Sequence, residues 1–294
     1  SDLYLRARNY TILRQGPCAL PAEVASAVAR PPGPALPDDG VFTVVGIGTI
    51  TYRKAVDVFI VSAAALKREF GREDFRFVWV GTNVPPELRY RLYVEEQVSK
   101  SGLTDNFIFA GELTDLEPAY QRADLFFLSS RLDPLPNVAI DAALRGIPIV
   151  CFENATGIGE ILAEAPETAE LVVPYLDSHA AARLIDALID DRERLKRLGG
   201  ALRERANELF DMEKYVDGID ALGRQAVSER KRLPQDLAVI TAAKVFEPRL
   251  YFGGAAATKD EGGGVIEYLN NARRARPLKQ ADAGLFIRRP VPGF

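Results

Sequence analysis

Five side chains in this sequence have the types and spacing to hold an anionic, hydroxyl-rich ligand. Arg53 and Lys54 are adjacent, Asp133 and Asp141 stand eight positions apart, and Asn137 lies midway between the aspartates. A guanidinium beside an ammonium can neutralise phosphate oxygens, the first as a planar fork and the second as a point charge. A carboxylate accepts hydrogen bonds from vicinal hydroxyls such as those of a ribose. The basic pair follows Gly46-Ile47-Gly48-Thr49, where glycines let the main chain approach a ligand closely. Asp141 follows Pro134-Leu135-Pro136-Asn137-Val138, a stiffened loop whose N–H groups near Leu135 to Val138 can face an anion at a helix start. That set suits a diphosphate attached to a sugar.

Such residues work only if an ordered scaffold delivers them to one place. Val41–Ile47 is a short apolar run, and Val56, Phe59, Ile60, Ala63 and Ala64 then recur at helical spacing. The unit repeats: apolar runs at 75–80, 106–109, 124–128, 147–152 and 170–173 alternate with predicted helices at 86–100, 116–122, 137–145 and 158–163. Six strands joined by helical crossovers predict a doubly wound, Rossmann-like α/β domain with a parallel sheet covered on both faces. Closing helices are expected over 178–189, capped by Asp177 or Ser178, over 192–210 with Leu195, Leu198, Leu202 and Ala206 on one face, and over 213–230. In such a sheet ligands sit at the carboxyl ends of the strands, which is where the loops bearing Arg53, Lys54 and Asp133 fall.

Four prolines and two glycines in residues 31–40 mark residues 1–40 as a linker segment. The domain proper is expected over 41–230. Residues 231–294, with Gly253-Gly254 and Gly262-Gly263-Gly264, read as a carboxyl-terminal extension or the start of a further domain. The chain starts at Ser1 and its one methionine is Met212, so it reads as a region excised from a longer protein.

Composition narrows the function. A net charge of −4 argues against a nucleic-acid partner. Cys18 and Cys151 are too few for a disulfide framework or a thiolate metal site, which fits a reducing cytoplasm. No apolar run reaches the roughly 20 residues of a bilayer span. Thr51 stands where a dinucleotide fingerprint needs its third glycine, and no P-loop lysine pattern occurs. His179 is read as a surface residue.

The frame Ser130-Arg131-x-Asp133-Pro134-x-Pro136-Asn137-Val138, followed by Gly146-x-Pro148-Ile149-Val150, resembles the carboxyl-terminal domain of the large retaining glycosyltransferase family 4, one half of the GT-B fold. Asp133-x7-Asp141 keeps the spacing of that family's Glu-x7-Glu motif, with both glutamates shortened by a methylene. The resemblance spans about residues 41–215 and includes Arg53-Lys54, Gly81, Gly111, Gly157-x-Gly159-Glu160 and the ending at 210–215; Ala55 replaces the family's usual glycine. It implies a nucleotide-diphosphate-sugar donor as substrate and no cofactor or metal. Arg53 and Lys54 would face the diphosphate near Gly48 and Thr49, Asp133 the sugar, Leu135 to Val138 the phosphates, and Asp141 the ribose. Base and ribose would lie over Thr82 and Gly111-Glu112-Leu113. Transfer with retained configuration onto a glycan or other acceptor, in polysaccharide synthesis, would need an amino-terminal acceptor domain of the same protein, in the cytoplasm or at the inner membrane surface. A non-catalytic nucleotide-sugar-binding or scaffold module is the competing reading. A sugar-nucleotide 2-epimerase would want acid and base residues of its own, and the sequence offers no sign of them.

Overall fold

The computed structural model describes residues 13–17, 36–83 and 88–230. The chain divides into two units, Ser1–Gly218 and Ile219–Phe294. In the first, a six-stranded parallel sheet is built from β1 (Phe42–Ile47), β2 (Phe75–Val80), β3 (Phe107–Gly111), β4 (Leu125–Leu128), β5 (Ile149–Phe152) and β6 (Val172–Val173), in the order β3-β2-β1-β4-β5-β6. The crossovers are α1 (Val56–Glu69), α2 (Leu88–Lys100), α3 (Glu117–Arg122), α4 (Asn137–Leu144) and α5 (Gly157–Glu164). Three more helices follow, α6 (Ser178–Asp190), α7 (Arg192–Leu209) and α8 (Met212–Arg230). This is the doubly wound domain that alternating apolar runs require. The described part of the second unit is the stretch of α8 from Ile219 onward.

The strands are mostly apolar, with Thr43 and Arg76 near the starts of β1 and β2 as exceptions, because helices cover both faces of the sheet. All six residues of β1 and all four of β4 and of β5 are buried. Phe59 of α1 is fully buried and packs edge-on to Phe77, Trp79 and Phe107 and stacked on Phe127, so one ring ties the helix to three strands, β2, β3 and β4. On α7, Leu195, Leu198, Leu202 and Ala206 are buried, the stripe expected from their spacing. Asp177 caps α6 by accepting the Ala180 N–H, and Asp191 caps α7 by accepting from Arg194.

Several boundaries move. The run at 170–173 is a single 3-10 turn, Ala169–Leu171, followed by a two-residue strand. The helix expected from residue 86 is described from Leu88, and residues 84–87 lie outside the described set, as do 231–294 and most of 1–35. The tail of the proline-rich stretch is seated on the domain: Leu36 is buried, and Asp39 pairs with Arg76 and Asp38 with Arg122. His179 is exposed and pairs with Glu69 across α1 and α6, the surface position expected of it.

Candidate functional site

Strand order reverses between β1 and β4, and the crevice at such a switch point is where open α/β sheets bind ligands. The loops leaving the two strands carry the predicted basic pair and Asp133. After β1 the chain stays level with its neighbours: Gly48 N–H donates to Val80 O at 2.9 Å, Ile50 N–H to Thr82 O at 2.9 Å, and Gly81 N–H to Gly111 O at 2.7 Å. Gly48, Thr82 and Gly111 are thereby brought to one edge. Gly81 has φ +136°, and a Cβ there would overlap the Gly48 carbonyl oxygen, so this packing demands glycine.

The chain next turns at Thr51 and enters α1 through Ala55, which is fully buried at φ 55° and ψ 50°, a left-handed conformation costly to a residue with a Cβ. Ser129 at the end of β4 steadies this entry by donating to Lys54 O and Ala55 O, at 3.2 and 3.1 Å. The family's usual glycine would take this backbone without strain; here an alanine bears it, locked by contacts from β4.

Arg53, Lys54 and Asp133 converge. The Lys54 ammonium pairs with Asp133 Oδ2, both side chains about nine-tenths buried, while Arg53 reaches Oδ1 at 3.2 Å with half its side chain exposed. Ser130 Oγ donates to the same Oδ2 at 3.4 Å. Lys54 therefore does not stand on the loop surface with Arg53, as two consecutive basic residues suggest. It is folded beneath Gly48, whose Cβ position lies 3.0 Å from the Lys54 side chain. The Asp133 loop is held by the loop after β5, on its other side: Asp133 N–H donates to Ala155 O at 2.8 Å, and Gly157 N–H donates to Pro134 O at 2.6 Å.

Pro136 leads into α4 with an extended backbone, Asn137 at the helix start is exposed, and Gln15 Nε2 donates to Asn137 Oδ1. Asp141, one turn further, is buried. Burial, and then the Asp141 charge, push the Tyr120 phenol well above its ordinary value, and Tyr120 donates to Val138 O at 3.2 Å. Asn137 and Asp141 share a helix but not an environment. Among the remaining predicted residues, Thr49 and Glu112 are exposed and Leu135 and Val138 partly so, whereas Pro136 is buried and Leu113 belongs to the core.

The residues that sequence reasoning passed over are Arg131 and Asp57. Arg131 forks onto Asp57, NH1 to Oδ1 at 2.9 Å and NH2 to Oδ2 at 2.7 Å. Tyr90 donates to Asp57 Oδ1 at 2.6 Å. Burial opposes the Asp57 charge, but the Arg131 and Tyr90 hydrogen bonds outweigh it and hold the carboxyl below its ordinary value. The sequence signal was slight: an acid in the first turn of a predicted helix and a base beside a predicted loop, 74 residues apart.

This geometry places two cations and a carboxylate together at the crevice between β1 and β4. The sequence model of the glycosyl transferases group 1 matches residues 34–205, more than half of the chain. The chain belongs to this family. The matched region is a glycosyl transferases group 1 domain. It is 28% identical over 178 residues to the lipopolysaccharide core biosynthesis mannosyltransferase LpsB of Rhizobium meliloti, covering 60% of this chain and 49% of that protein. Among solved structures, HepE of Anabaena in complex with UDP is similar with a TM-score of 0.57 and 20% identity, over 63% of this chain and 49% of its own. Sucrose-phosphate synthase from Thermosynechococcus elongatus is similar with a TM-score of 0.57 and 26% identity, over 66% of this chain and 47% of its own. The chain spans about half the length of these relatives. Its Rossmann-like domain is one half of the GT-B arrangement, and among the described residues no helix is long and apolar enough to cross a membrane.

Proposed function

We propose that this group 1 domain binds a nucleoside-diphosphate sugar in the crevice between β1 and β4 and forms the donor half of a retaining glycosyltransferase of family 4 that builds a glycan. The observation that carries the reading is the convergence of Arg53, Lys54 and Asp133 at the point where strand order reverses. Breaking the bond from the anomeric carbon to the diphosphate leaves the electron pair, and a growing negative charge, on the phosphate. Arg53 and Lys54, with the N–H groups at the start of α4, would stabilise that charge from fixed positions. Asp133 would face the sugar and Asp141 the ribose, with base and ribose over Thr82 and residues 111–113. The mannosyltransferase name of LpsB supports a sugar donor and a glycan product, and the UDP in HepE supports a nucleoside diphosphate as the ligand class.

The acceptor would be held by an amino-terminal domain of the longer protein, with residues 1–40 as its linker, 41–230 as the donor domain and 231–294 as an extension. The donor is the substrate, and the reading calls on no cofactor. A cytoplasmic site of action, at the inner membrane surface for a membrane-borne acceptor, fits the buried free thiol of Cys151. The test is thermal denaturation of the chain with UDP, GDP, ADP and their sugar conjugates, since a ligand that binds the native state raises the melting temperature. One nucleotide should stabilise the wild type and lose its effect in Arg53→Ala. A folded chain that none of them stabilises would sink the assignment. The second reading, a non-catalytic sugar-nucleotide module, draws on the pairing of Asp133 with both cations. Donor binding without any transfer by the longer protein would favour it.

A further inference from the structure

The two cations sit on the loop between β1 and α1, and Arg53 has half its side chain in solvent. Besides the Ser129 hydroxyl and the bonds to the β2 edge, one residue of the opposite strand's loop holds it at several points. Arg131 N–H donates to Arg53 O at 2.9 Å, and Arg131 NH1 donates to Tyr52 O at 2.8 Å. The same guanidinium lies 3.9 Å from the centroid of the Tyr52 ring. Its two arms also fork onto Asp57, in the first turn of α1. Arg131 thus grips the residues before Lys54 and the residue three after it, bracketing the basic pair from both sides. Arg131 is itself anchored: Tyr175 donates to its carbonyl oxygen at 3.1 Å, and Arg53 NH1 donates to the next carbonyl, that of Leu132, at 3.1 Å.

We propose that Arg131, clamped to Asp57, is a positioning residue that pre-sets Arg53 and Lys54 for a diphosphate without contacting the donor. The inference rests on the donor-site reading above. Arg131 has 16% of its side chain exposed, and both terminal nitrogens are already committed to Asp57 and Tyr52. Only a planar fork can satisfy Asp57 through two bonds, bond a carbonyl and stack on a ring at once, so lysine cannot reproduce it. Without the clamp the loop must be ordered each time a diphosphate binds. Immobilising even one or two freed residues at binding amounts to about tenfold or more in affinity.

The test titrates the whole chain, wild type and Arg131→Met, Arg131→Lys and Asp57→Asn, with UDP, GDP and ADP and with the matching monophosphates by calorimetry. In Arg131→Met the preference for diphosphate over monophosphate should fall about tenfold. Arg131→Lys and Asp57→Asn should fall between it and wild type. Hydrogen exchange of the amides at 49–55 should quicken in the variants while those of β1 and β4 stay protected. If the wild type binds a diphosphate and Arg131→Met keeps the preference within about twofold, the positioning role is wrong. If di- and monophosphate affinities fall together with the melting temperature, and Asp57→Asn leaves the preference intact, Arg131 serves the fold alone and the inference also fails. A wild type that binds none of the three diphosphates overturns the donor-site reading, and this inference with it.

Discussion

Replacing Lys54 by methionine removes the ammonium of a pair in which Lys54 and Asp133 have only 10% and 9% of their side chains exposed. Removing one partner of such a pair strands the other charge, at a cost of about 3–5 kcal/mol where nothing else compensates. Here Arg53 remains 3.2 Å from Oδ1 and Ser130 is 3.4 Å from Oδ2, so the carboxylate keeps part of its stabilisation. The expected loss is therefore about 2–3 kcal/mol, at or just below the lower edge of that range. At about 2–4 °C per kcal/mol for a domain of this size, the melting temperature should fall by about 4–12 °C. The double variant Lys54→Met/Asp133→Asn has no buried charge left to strand, and should recover most of the loss. Calorimetric melting of the three proteins measures this directly. A Lys54→Met protein melting within about 2 °C of wild type, or a double variant no more stable than the single, would refute the claim that the pair is buried and mutually dependent. Binding is a second readout, with the single variant Asp133→Asn added. Asp133→Asn alone frees both cations from their counterion and should tighten a nucleoside diphosphate severalfold, whereas Lys54→Met should weaken it at least about tenfold, roughly 1.4 kcal/mol.

Other expectations follow from particular residues. Gly81→Ala, at φ +136° and against the Gly48 carbonyl, should cost about 3 kcal/mol and lower the urea midpoint; an unchanged midpoint would mean that the β1 and β2 loops are not packed as described. At Ala55, held at φ 55°, glycine should be tolerated to within about 1 kcal/mol while valine destabilises by more, a contrast that melting curves will show or deny. The Asp57 carboxyl is held below its ordinary value of 3.8, so its stabilising effect is complete above that pH and is lost as pH falls through the lower folded value. Asp57→Asn should accordingly flatten the acid limb of melting temperature against pH, and an unaltered limb would remove the Asp57–Arg131 pair from the account. Burial pushes the Cys151 thiol up to about 12, so at pH 8 it should resist alkylation in the folded chain and react on unfolding, as peptide mapping would report.

Much of this molecule is legible along the chain because its determinants are local. The continuous apolar run of β1 announces a strand buried on both faces, and the spacing of Leu195, Leu198, Leu202 and Ala206 announces one helical stripe. Side-chain period and cap chemistry are read within a few residues, and the parallel topology follows because strands joined by helices leave little else. The candidate site is legible in part: Arg53, Lys54 and Asp133 stand out by type and by the loops they occupy, and those loops meet. What the sequence could not decide is which charge each group faces. Lys54 looks like a partner of Arg53 on a surface loop, yet its long side chain folds under Gly48 to a carboxylate 79 residues away. Asp57 and Arg131 give no local sign of each other, because they meet only when β1 and β4 lie side by side. Ala55 reads as an ordinary small residue until contacts from β4 hold it in a left-handed turn. Backbone periodicity is a property of a segment, whereas burial and ion pairing belong to segments brought together, and so the sequence determined the scaffold while the packed sheet decided the electrostatics of the site.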